Sequence, residues 1–151
     1  MGFLRRLLAA ALSMVSASAD RISSGEMAAE ESLQRAIEAY QRGDHHTAGA
    51  SFAEAIQLDP KMAQAAPVQA LAHVAEGISA FQKGDHRQAI GAWRGAAAID
   101  PKMVPAYLAL ADGYLRIAEP VLAAQALRAG LQALPDSPEL RAKLAQIEKS
   151  R

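Results

Sequence analysis

Histidine is the residue here whose neighbours most invite chemistry. His45, His46 and His86 follow Asp44 and Asp85, and imidazoles beside carboxylates are ordinary metal-ligand chemistry. A metal site needs three or four converging ligands, however. Gly-Asp-His instead occurs twice, 41 residues apart, with each histidine at the same place. A repeated structural role explains that economically: the aspartate caps a helix and the imidazole fills a slot beside it. We therefore expect no metal and no cofactor. Catalysis finds no footing either. There is no Gly-rich phosphate loop, no His-Glu-x-x-His and no nucleophile elbow. Glu30 with Glu31, and Glu139 with Glu148, read as solvated charge on helix surfaces. The chain has no cysteine, which excludes disulfides, thiolate zinc sites, iron–sulfur clusters and a cysteine nucleophile. The expectation is a protein that is not an enzyme.

The elements that position these residues follow from composition. The 151 residues suffice for one domain, and 51% are apolar, enough for a buried core. Alanine supplies 36 residues and glycine 10, while aromatics make up 5%, which favours closely packed helices. No stretch alternates apolar and polar residues between turns, so no strand is expected. Formal net charge is zero, which removes the basic excess that nucleic-acid binding requires.

The first nineteen residues read as an export signal. Arg5 and Arg6 precede an apolar run from Leu7 to Val15, and Ala17-Ser18-Ala19 supplies the small residues of a cleavage site. The run is too short to span a bilayer, which takes about 20 residues. The expectation is cleavage after Ala19, a domain over 20–151, no stable membrane insertion afterwards, and a periplasmic or secreted location. The alternative is an amphipathic helix packed on the domain in a cytoplasmic protein.

The rest of the chain repeats itself. Tyr40-Gln41-Arg42-Gly43-Asp44-His45 and Phe81-Gln82-Lys83-Gly84-Asp85-His86 correspond, as do Asp59-Pro60-Lys61-Met62 and Asp100-Pro101-Lys102-Met103, all at an offset of 41. Gly43 and Gly84 suit a left-handed helix end, and Asp44 and Asp85 suit the N-cap of the next helix. Ser23 with Glu26 has capping-box spacing and starts a helix near residue 24. Pro67, Pro120 and Pro138 suit first helical positions. Leu140, Leu144 and Ile147 form one stripe of a last helix whose other face is charged.

These residues resemble the tetratricopeptide repeat (TPR), a helix–turn–helix unit of about 34 residues. With Gly43 and Gly84 at the turn, the repeats are 29–62, 70–103 and 104–137, followed by a capping helix over 138–150. Small residues fall where paired helices approach: Ala36, Ala48, Ala55; Gly77, Ala89, Ala96; Ala111, Ala123, Gly130. Phe52, Trp93 and Leu127 take the bulky second-helix slot, and Pro60, Pro101 and Pro135 the closing proline. Tyr107, Leu110 and Tyr114 match the first-helix anchors. Ser32 and His73 depart from the usual Trp or Tyr, and Arg35 and Glu76 from the usual Leu.

The resemblance implies an all-α solenoid of antiparallel helix pairs in a right-handed superhelix, of the small exported type. It also implies a protein or peptide partner held in the concave groove. Carried over by register, the groove would present Leu33, Ile37, Tyr40, Gln41, Val74, Ile78, Phe81, Gln82, Leu108, Asp112 and Leu115. Leu33, Val74 and Leu108 are the members most suited to the core. The positions where some relatives clamp a carboxylate are Leu33, Ile37, Ala75, Pro105 and Ala109, none of which can donate a hydrogen bond. The function expected is an adaptor in cell-envelope assembly. A cytoplasmic chaperone of the type III secretion kind and a self-associating structural protein are the alternatives.

Overall fold

The computed structural model describes residues 23–150; the expected export signal lies outside them, as does the side chain of His45. Seven α-helices and no strand occur among the described residues. They are α1 (Ser24–Gln41), α2 (His45–Leu58), α3 (Ala66–Gln82), α4 (His86–Ile99), α5 (Val104–Arg116), α6 (Pro120–Ala133) and α7 (Pro138–Lys149). A 3₁₀ turn over Pro60–Gln64 precedes α3.

Local chemistry sets each boundary. The Ser23 hydroxyl accepts from Glu26 N while the Glu26 carboxylate accepts from Ser23 N, a complete capping box. Gly43 and Gly84 end α1 and α3 with φ of +80° and +88°. Asp44 then accepts from Thr47 N, and Asp85 from Gln88 N. The third turn lacks glycine, and Ala118 takes φ +60° in its place. Proline stands in the first turn of α3, α5, α6 and α7, where its missing N–H costs nothing. The seven residues 63–69 between the first two repeats do not simply lengthen α3. Ala63 and Gln64 stay in the 3₁₀ turn, Ala65 is the N-cap, and α3 starts at Ala66.

Each helix packs on the next in the chain, as a solenoid requires. The first helices also meet one another: α3 touches α5, and α5 touches α7. Small residues permit the close approach. Ala36, Ala48, Ala55, Ala89, Ala96, Ala111 and Ala123 have no exposed surface. A Cβ on Gly130 would sit 2.7 Å from Tyr107 Cγ, so that ring demands glycine. Phe52, Trp93 and Leu127 are buried at equivalent places. Burying such a side chain favours the fold by roughly 1.5–3 kcal/mol. On α7, Leu140 and Ile147 are buried and Leu144 is half-buried, while Glu139, Arg141, Glu148 and Lys149 face solvent.

Candidate functional site: the wall of first helices

The wall formed by α1, α3, α5 and α7 sorts the expected groove residues into three groups. Gln41, Gln82, Asp112 and Leu115 are exposed. Tyr40, Ile78, Phe81 and Leu108 are half-buried. Leu33, Ile37 and Val74 are core: each is at most 6% exposed and belongs to the main apolar cluster. They cannot line a groove, because their side chains are spent between helices. Val74 is held from its backbone as well, its carbonyl accepting from Trp93 Nε1.

Phe81 has a double duty. Its ring lies 4.8 Å from the His86 imidazole and 5.7 Å from the Trp93 indole, so it ties α3 to α4. His86 thus stands in the aromatic slot as expected. Burial raises the Tyr40 phenol above its ordinary pKa, so the hydroxyl stays protonated at neutral pH.

One ion pair on the wall could not be foreseen from the sequence. Lys143 Nζ of α7 lies 2.7 Å from Asp112 Oδ1 of α5. It joins two first helices directly, and each charge neutralises the other. The exposed and half-buried groove residues are therefore apolar or amide, apart from Asp112, which this pair compensates.

The departures from the repeat pattern have local explanations. Ser32, fully buried, accepts a hydrogen bond from Arg35 Nη2 at 2.8 Å, and the same guanidinium pairs with Glu54 at 3.0 Å. In the second repeat His73 and Glu76 face each other at 3.5 Å instead of filling the seam. A cleft of about 410 Å³ opens there between α2, α3 and α4, lined by His46, Gly49, Ala53, Glu76, Ser79 and Lys83 among others. The place of Glu76 is taken in the third repeat by Leu110, which is buried. Among the described residues no three of His, Asp and Glu gather as metal ligands, and no helix is long and apolar enough to cross a membrane.

The geometry defines a helical-repeat solenoid. The tetratricopeptide-repeat family model matches residues 80–147. Solved TPR domains share the fold over most of the chain. The TPR domain of Arabidopsis OM64 is 21% identical, covering 85% of this chain and 100% of that one, with a TM-score of 0.63. The first TPR domain of Spaghetti (RPAP3), bound to the HSP90 peptide SRMEEVD, is 14% identical, covering 82% and 95%, with a TM-score of 0.61. SycD, a type III secretion translocator chaperone of Yersinia enterocolitica, is 20% identical, covering 89% and 86%, with a TM-score of 0.59. No curated protein matches the chain. Repeats and solved neighbours together give the chain the TPR fold, and the family model matches its C-terminal part.

Proposed function

We propose that this protein is a binding module, not an enzyme, and that its first-helix wall takes an apolar or amphipathic segment of a protein partner. The supporting observation is the line of α3, α5 and α7, which carries Ile78, Leu108 and Leu115 beside the compensated Asp112–Lys143 pair. Apolar anchors at helical spacing suit such a surface. The peptide held by the Spaghetti domain ends in Glu-Glu-Val-Asp. Here Ala75, Pro105 and Ala109, at the positions where some relatives clamp a carboxylate, offer no side-chain donor. An acidic C-terminal tail is therefore the wrong occupant.

We further propose that the protein works after export, as an adaptor in assembling a cell-envelope complex. A cytoplasmic chaperone is the second reading, favoured by the overlap with SycD along nearly the whole of both chains. N-terminal sequencing of the expressed protein separates the two, since export requires a mature start at Asp20. The groove itself is tested by capturing partners with wild type and with Gln82→Arg/Leu115→Arg, both exposed positions. Loss of a specific partner from the variant is expected. Equal recovery of every partner by both would refute the groove.

A further inference from the structure

The third repeat departs from the first two where side chains meet solvent. Counting from each turn, Ile117, Val121 and Leu122 correspond to Lys83, Arg87 and Gln88 of the second repeat. In the first repeat the same places hold Arg42, His46 and Thr47. All six counterparts are polar and exposed. Ile117, Val121 and Leu122 are also exposed, at 41%, 45% and 38%, yet they are apolar. The fold therefore does not require apolar residues here. Ala118 adds a methyl to the same turn where the other repeats have glycine. The α5–α6 turn is an apolar knob, flanked by Arg116 and Glu119.

We propose that this knob seats in the first-helix groove of a second copy of the chain; the inference rests on that groove being a docking surface. Two observations favour a second copy as the occupant. The groove offers apolar Ile78 and Leu108 beside the Asp112–Lys143 pair, and the knob presents apolar side chains with one charge of each sign, so Arg116 can meet Asp112 while Glu119 meets Lys143. Cleavage after Ala19 leaves 14 basic and 16 acidic residues, a net charge of −2 that is too small to keep copies apart. Three partly exposed side chains bury far less than the roughly 800 Å² per partner of a standard stable interface, so the contact is weak. It is heterologous, knob to groove, and leaves a free knob and a free groove at the ends, so association does not stop at a dimer.

The internal repeats supply the test variant. Ile117→Lys/Val121→Arg/Leu122→Gln gives the third turn the side chains that the second turn already carries. Groove variants are Ile78→Lys and, at an exposed position that spares the core, Asp112→Arg. Sedimentation equilibrium of the wild type should show mass rising past the dimer as concentration rises toward about 1 mM, the weak end of specific association. Knob and groove variants should each stay monomeric, and an equimolar mixture of the two should form a 1:1 dimer. A wild type monomeric throughout, a knob variant that associates like wild type, or a mixture that stays monomeric would overturn the proposal. A wild type that stays monomeric while the groove still captures its partner sinks the knob alone.

Discussion

Trp93 donates its indole N–H to the carbonyl oxygen of Val74 across 3.1 Å, joining α4 to α3. The same ring separates two glycines: a Cβ on Gly77 would collide with its pyrrole edge, and one on Gly113 would lie 2.9 Å from Cζ3. One side chain thereby fixes the spacing of α3, α4 and α5. Trp93→Ala should cost about 3–5 kcal/mol, as large aromatic truncations do. Gly77→Ala should cost roughly 1–3 kcal/mol by overpacking. Chemical denaturation of the two variants checks both values.

Ala118 holds a left-handed backbone that alanine adopts at a cost of about 1–2 kcal/mol. Glycine there removes that strain but loosens the unfolded chain by about 0.4–1 kcal/mol. Ala118→Gly should therefore raise stability by roughly 0.5–1 kcal/mol. The reverse changes, Gly43→Ala and Gly84→Ala, should destabilise. Both sites have open space around a new Cβ, so backbone strain alone sets their cost. Thermal melts of the three variants test the sign at each turn.

Acid should loosen the N-terminal helices first. The Glu26 carboxyl is held below its ordinary pKa by the Ser23 backbone N–H and then by Lys61. Asp44 is held down by hydrogen bonds from Thr47. A carboxyl with a depressed folded pKa binds its proton later in the folded chain than in the unfolded one. Its contribution is thus complete above the usual carboxylate range and fades as pH falls through the folded value. The melting temperature should drop across that acid window, and Glu26→Gln should flatten the drop.

The wall's ion pair makes a separate prediction. Lys143→Met should leave the fold nearly as stable, since a solvent-accessible pair is worth about 0–1 kcal/mol and the methionine keeps the half-buried stem. Asp112 then loses its cationic partner, and cationic peptides should bind better than they do to wild type. Fluorescence anisotropy with matched cationic and neutral peptides measures this.

What the sequence made legible was punctuation. Gly43, Gly84, Asp44, Asp85 and the first-turn prolines act within a few residues, so their spacing alone set bends and helix starts. Phe52, Trp93 and Leu127 were legible because each stands at the same bulky slot of its repeat's second helix. The groove was less so. Leu33 and Val74, suited to the core from the sequence, are core; Ile37 unexpectedly joins them, and Leu108 stays half-buried. An apolar helical residue can face a neighbouring helix or the cleft, and periodicity does not choose between them. Partners distant in sequence, such as Asp112 with Lys143 or Arg35 with Glu54, were invisible because composition shows charges and not their neighbours. The knob was there to be found, by aligning residues 117, 121 and 122 with 83, 87 and 88 instead of comparing only buried positions.

The most direct test of the docking wall is site-specific photocrosslinking in the cells that make the protein. A photoreactive residue replaces Gln41 or Gln82, exposed at the ends of α1 and α3, or Gln57 or Arg94, exposed on α2 and α4. Crosslinks to a common partner from positions 41 and 82, with none from 57 and 94, are the predicted result. The same partner captured from 57 and 94, with 41 and 82 silent, would place the binding face on the second helices and contradict the account.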